Sequence, residues 1–139
     1  MNADVVLDTN ILVYAASKAS EDAAKARVAL ELIASTQFGV SAQILQEFYV
    51  TTTRKLRVKL SHHQALDWIE SLEAFPCINV DASLVYQGAE RAERYQLSYW
   101  DGTIIAAAER LAAHTVYSED LGDGQLYGPI RVVNPFKQH

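Results

Sequence analysis

Cysteine is almost missing from this sequence. Cys77 stands alone, which excludes an internal disulfide framework and fits a reducing, cytoplasmic compartment. Also missing is a basic segment followed by a long apolar run. Asp4 and Asp8 interrupt the only candidate near the N-terminus, so neither a secretion signal nor a membrane span is expected. Positive charge is short: 12 Lys and Arg face 17 Asp and Glu, giving a net charge of −5 and a pI near 5.3. Such a surface does not as a whole attract nucleic acid, and a polyanionic substrate would need a local basic patch or bound cations. No internal repeat, low-complexity tract or linker interrupts the chain.

What is present is an ordinary globular balance, half hydrophobic and 21% charged over 139 residues. That is enough for one domain, spanning 1–139, that buries roughly 70% of its unfolded surface. Val5, Val6 and Leu7 are consecutive rather than alternating, the pattern of a strand covered on both faces. Asp8, Thr9 and Asn10 follow, all good N-caps, and 11–16 can continue as a short helix. Ser20 is placed to cap a helix carrying Val28, Leu30, Leu32 and Ile33. Phe38–Ser41 reads as a strand, with Ser41 capping a helix over about 42–57 whose core face is Ile44, Leu45, Phe48 and Tyr49. Ser61 caps a further helix with Leu66, Ile69 and Leu72 at helical spacing, and Pro76 ends it. A strand is predicted at 77–80, a helix from Asp81 to about Tyr95, and another over 101–113. A strand at 115–118 precedes a glycine-rich loop over 120–128 and a last strand at Ile130–Val133. Strands alternating with helices predict an α/β fold, three layers around a mainly parallel sheet with right-handed crossovers.

Four carboxylates carry the chemistry: Asp8, Glu47, Asp101 and Asp120. Each has an ordinary reading. Asp8 caps a helix; Glu47 lies at the margin of an apolar stripe. Asp101 sits three after Ser98 near a helix N-terminus, and Asp120 occupies a turn-rich segment. Taken together they say more. Asp8 and Asp120 follow strands whose ends lie on one edge of a parallel sheet, and Asp101 shares a helix face with Ile104, Ile105 and Ala108. Clustered carboxylates persist at neutral pH only with protons or cations to offset their charge. Oxygen ligands without Cys or His pairs suit Mg²⁺ or Mn²⁺ rather than zinc, and such a site can activate water against a phosphodiester. A haloacid-dehalogenase-type phosphatase would need Asp where Asn10 stands. A receiver domain would need an Asp ending a later strand, and neither Phe38–Ser41 nor 77–80 supplies one.

Val6-Leu7-Asp8-Thr9-Asn10, Gln46-Glu47, Trp100-Asp101-Gly102-Thr103-Ile104-Ile105-Ala106-Ala107-Ala108 and Ser118-Glu119-Asp120-Leu121 resemble the successive signatures of PIN-domain nucleases. The likeness is to the VapC-like toxins of bacterial toxin–antitoxin pairs, and it spans nearly the whole chain. It implies an Mg²⁺- or Mn²⁺-dependent endoribonuclease held inactive by a cognate antitoxin, with a homodimer as the expected assembly. Carried over residue by residue, Asp8, Glu47, Asp101 and Asp120 become the acidic site, with Asp8, Asp101 and Asp120 on the metal. Thr9 and Ser118 become partners that orient carboxylates or a metal-bound water, and Asp123 an acid lending negative potential or holding such a water. Arg54, Lys55, Arg57 and Lys59 form the densest basic run, either contacting RNA phosphates or complementing a helix dipole. His62 and His63 read as surface residues; Tyr99 and Trp100 read as base-stacking groups or as core or dimer contacts. The rival from another class is a non-catalytic PIN-like module that binds metal, RNA or a protein partner without cleaving.

Overall fold

The computed structural model describes residues 1–137. The elements run β1 (Val5–Leu7), α1 (Thr9–Ala16), α2 (Ala23–Ser35), β2 (Phe38–Ser41), α3 (Ala42–Val50), α4 (His62–Leu72) and β3 (Cys77–Ile78). They continue with α5 (Ala82–Tyr95), α6 (Tyr99–Arg110), β4 (Thr115–Tyr117), β5 (Leu126–Tyr127) and β6 (Ile130–Val133). The strands form one six-stranded sheet in the order β3-β2-β1-β4-β6-β5. Every pairing is parallel except β5 with β6. From β1 the chain steps outward to β2 and β3, then returns past β1 to β4. Right-handed crossovers in opposite directions put α1–α4 on one face and α5–α6 on the other. Val5, Val6 and Leu7 are accordingly buried on both sides.

α6 lies against the sheet, with Gly102 through Ala108 all buried. Small residues let it approach α5 closely. A Cβ on Gly102 would lie 2.3 Å from the Gly88 carbonyl oxygen and 2.8 Å from the Ala92 nitrogen; one on Gly88 would meet Thr103 Cγ2 at 2.5 Å. This seam sets the height of Asp101, one residue before Gly102, against the sheet.

Several caps fall where the sequence puts them. Ser41 accepts from the Ile44 amide, Ser61 forms a reciprocal box with Gln64, Asp81 accepts from Leu84 and Ser98 from Asp101. Four local expectations are corrected. Ser20 caps nothing: it opens a 3₁₀ turn, Ser20–Asp22, ahead of α2. The helix expected over 42–57 ends at Val50 and relaxes into a π-helical turn, Thr51–Lys55, where the Thr52 and Thr53 hydroxyls bond back to the Phe48 and Tyr49 carbonyls. Such back-bonding loosens a helix. Leu30 and Leu66 are exposed, and the buried positions of their helices are Ala29 in α2 and Ala65 with Leu72 in α4. The loop over 120–128 contains a strand, β5, which hairpins onto β6 through Gly128, at φ +61°.

Candidate active site

β1 lies where the strand order reverses, so the carboxyl ends of β1 and β4 bound the crevice in which open α/β sheets take their ligands. Asp8 sits at that end of β1, as N-cap of α1. Capping and site membership are therefore compatible readings of one residue. Asp8 is 4% exposed. Its Oδ1 accepts from the Thr9 amide at 2.7 Å and its Oδ2 from the Ser118 hydroxyl at 2.7 Å. Burial pushes its carboxyl up to about 6; the two hydrogen bonds pull the other way, and the charges of Asp120 and Glu47 add to the rise.

The other acids gather around it. Glu47, half-buried in α3, takes the Thr9 hydroxyl on Oε2 at 3.0 Å and Gln43 Nε2 on Oε1 at 2.9 Å. Gln43 Oε1 lies 3.2 Å from the buried Thr103 hydroxyl, which donates to the Trp100 carbonyl at 2.6 Å. Asp120 Oδ2 receives Asn10 Nδ2 at 3.1 Å, and its amide donates to Ser118 Oγ at 3.1 Å. Ser118 thus ties Asp8 to Asp120. Asp101, in the first turn of α6, is raised by burial, resisted by Ser98 and reinforced by the charges of Asp120 and Glu47. Asp8 and Asp101 each feel the charges of both Asp120 and Glu47. None of them takes part in an ion pair among the described residues.

Beside them opens a cleft of about 300 Å³, lined by Thr9, Asn10, Val13, Tyr14, Asp22, Glu47, Thr51, Leu56 and Asp120. Arg54 and Lys55 stand between two of its lining residues, Thr51 and Leu56, and are exposed; Arg57 turns to Glu21 at 2.6 Å, and Lys59 is exposed. Asp123 is placed elsewhere, its Oδ1 accepting from the Asn134 amide at 2.8 Å. Tyr99 and Trp100 pack edge to face at 4.9 Å, with Trp100 60% exposed beside Asp101. His62 and His63 are exposed, and Tyr49 bonds to His62.

Asn10, Gln43 and Thr103 also enter this network, and the sequence reading passed over them. Gln43 had a legible signal: it stands four residues before Glu47, hence on the same helix face. Asn10 and Thr103 stand within the stretches that carry the family resemblance, but their bonding roles had no local signal, because Asn10 meets its partners 109–110 residues away and Thr103 meets Gln43 60 residues away.

The donors suit a hard cation, being carboxylates with no thiolate or imidazole among them. Among the described residues no group of three or more His, Cys, Asp or Glu side chains is placed to hold a metal ion together. That arrangement fits an ion held by one or two carboxylates with water completing its shell, as Mg²⁺ prefers, better than an all-protein cage.

The fold is a doubly wound, mainly parallel α/β sheet with carboxylates collected at its switch point. The PIN domain profile matches residues 5–122; the chain belongs to the PIN-domain family. Members of this family generally use divalent metal ions, and those of VapC type are typically ribonucleases. Among solved structures, the chain is similar to a toxin–antitoxin complex from Klebsiella pneumoniae, at 20% identity and TM-score 0.72, covering 96% of this chain and 99% of that one. VapC20 of Mycobacterium tuberculosis, a sarcin-ricin loop cleaving toxin, matches at 20% identity and TM-score 0.66 over 84% and 89%. FitAB bound to a DNA fragment matches at 20% identity and TM-score 0.70, over 97% of each chain. These likenesses establish a shared fold. No curated protein sequence matches the chain.

Proposed function

We propose that this chain is a metal-dependent endoribonuclease, the toxin of a toxin–antitoxin pair, cutting RNA phosphodiester bonds with Mg²⁺ or Mn²⁺. One observation carries the proposal. A buried aspartate at the sheet's switch point feels Asp120 and Glu47, which Asp101 feels in turn, and among the described residues none of the four is ion-paired with a cation. That charge favours a bound cation.

Of Asp8, Asp101 and Asp120, one or two would hold the ion directly and the remainder through water; when bound it would lower the pKa of water and stabilise charge at phosphorus. The chain's own work is positioning. Ser118 and the Thr9 amide fix both oxygens of Asp8, while the Thr9 hydroxyl and Gln43 fix both oxygens of Glu47. Glu47 is thereby aimed at the cleft, where it can take a proton from an attacking water. Arg54 and Lys55, with Arg57 and Lys59, supply the local positive charge that an acidic chain needs to receive a polyanion. Trp100 offers an exposed ring for stacking a base.

The structural neighbours support the partner assignments, since one is named a sarcin-ricin loop cleaving toxin and another a toxin–antitoxin complex. The cognate antitoxin is expected to present an Arg-bearing segment to the acidic rim, because a guanidinium matches a carboxylate with a planar fork. The chain is expected to act in the cytoplasm as a homodimer. Among the described residues no helix is long and apolar enough to cross a membrane.

The open arrangement of the acids, with no three or more among the described residues placed to hold a metal ion together, favours one rival, a non-catalytic module that binds without cutting. Incubating the purified chain with mixed RNA separates the two. Cleavage that requires Mg²⁺ or Mn²⁺ and stops with chelator supports the nuclease. Binding without cleavage under every metal condition supports the module.

A further inference from the structure

Glu119 and Asp120 are neighbouring acids beyond β4, and the two face different surroundings. Glu119 is taken up by Lys25 of α2 and Tyr14 of α1. Lys25 Nζ forms an ion pair with Glu119 Oε2, and the Tyr14 hydroxyl donates to Oε1 at 2.7 Å. The ammonium also lies 3.2 Å from the Tyr14 hydroxyl, 4.7 Å from the Tyr14 ring centroid and 5.3 Å from that of Phe136. Three groups therefore hold Lys25 in place, unlike a lysine swinging free in solvent.

The link to the site runs through Asn10, one helical turn before Tyr14 on the same face of α1. Asn10 Oδ1 accepts from the Glu119 amide at 3.1 Å, and Nδ2 donates to Asp120 Oδ2 at 3.1 Å. One side chain thus grips the backbone of the first acid and the carboxylate of the second. With Glu119 fixed to the helices on one side, Asp120 lines the cleft, tied through Ser118 to Asp8.

We propose that Lys25 and Tyr14 are positioning residues: by clasping Glu119 against α1 and α2 they decide which acid of the doublet enters the cation site. This rests on the reading that Asp120 helps hold the ion. Without the clasp, Glu119 carries a free charge and the backbone under Asp120 loses an anchor.

The test is Mn²⁺ binding to the metal-stripped, full-length chain without RNA, followed by the electron paramagnetic resonance signal of free Mn²⁺. Lys25→Met should weaken binding roughly tenfold, the scale of losing a group that orients a ligand, and Lys25→Arg should recover most of it. Tyr14→Phe deletes a single hydroxyl and should shift binding the same way by a smaller factor; it serves if Lys25→Met fails to fold. A purely structural role predicts lower thermal stability in chelator with unchanged Mn²⁺ affinity. Unchanged affinity in the folded variants, while Asp120→Asn weakens binding, overturns the clasp and leaves the site standing. No Mn²⁺ binding by the unaltered chain overturns the proposed function, and the clasp with it.

Discussion

Removing the charge of Asp8 should stabilise the metal-free protein at neutral pH. The side chain is 4% exposed, and burial is the main reason its carboxyl sits near 6 rather than 3.8. That gap corresponds to about 3 kcal/mol against the ionised form. The folded protein keeps this proton to a higher pH than the unfolded chain does. Stability is therefore full below about pH 4, falls as pH rises towards 6, and carries the whole penalty above that. Asn at position 8 has no charge to lose stability by. It does present an amide where the Ser118 hydroxyl now donates at 2.7 Å, and losing a hydrogen bond to a charged acceptor costs about 1.5 kcal/mol. The balance at pH 8 is a gain of about 1–2 kcal/mol, or about 3–8 °C in midpoint for a chain of this size. Thermal unfolding of Asp8→Asn and the unaltered chain in chelator, at pH 4, 6 and 8, measures it directly. The variant should be no more stable at pH 4 and pull ahead by pH 8. A variant less stable at pH 8, or a difference independent of pH, would refute the reasoning.

Three further outcomes follow from the same geometry. Asp120→Asn should cost much more activity and Mn²⁺ affinity than Asp123→Asn when both are measured at limiting Mn²⁺, because Asp120 couples to Asp8 and Asp101 while Asp123 holds the Asn134 amide. Replacing Arg54 and Lys55 together should weaken RNA binding and flatten the slope of log affinity against log salt by about 1.5, at roughly 0.7 per phosphate contact on single strands; an unchanged slope would assign the run to helix-end stabilisation. Gly102→Ala would put a methyl 2.3 Å from the Gly88 carbonyl oxygen, so denaturant unfolding should show a loss of about 2 kcal/mol or more as α5 and α6 are forced apart.

The fold was legible where the signal was local. Three consecutive apolar residues at Val5–Leu7 announce a strand covered on both faces, and Ser41, Ser61, Asp81 and Ser98 each announce a helix start that the backbone adopts. The illegible parts depend on tertiary competition. Ser20 has cap chemistry, but Ser17 bonds Asp22 across the same turn and the chain tightens into 3₁₀ geometry instead. Thr52 and Thr53 look compatible with a continuing helix until their hydroxyls take its carbonyls. Leu66 fits an apolar period yet faces outward, since Ala65 and Leu72 suffice to seat α4.

The candidate site divides in the same way. Asp8, Asp101 and Asp120 could be listed because each follows a strand or opens a helix, so topology brings them to one rim; Glu47, inside α3, stood out only at the margin of an apolar stripe and in the family resemblance. The groups that aim them could not be, since Asn10 meets Asp120, Thr103 meets Gln43 and Lys25 meets Glu119 across 60 or more residues. The Glu119–Asp120 doublet shows the limit most clearly. Nothing in the order of two adjacent acids says which turns inward; Lys25 and Tyr14, far away in sequence, distinguish them.

The most direct test of the whole account is end-labelled RNA cleavage by the unaltered chain, Asp8→Asn and Asp101→Asn, each metal-stripped and then supplied with Mg²⁺ or Mn²⁺. The unaltered chain should cut only with metal. Both variants, folded by circular dichroism, should lose activity on the order of 100-fold or more, beyond the usual cost of losing a ligand's supporting hydrogen bond. Undiminished cleavage by the metal-stripped chain, or parental rates from Asp8→Asn, would contradict a cation-dependent site at the end of β1.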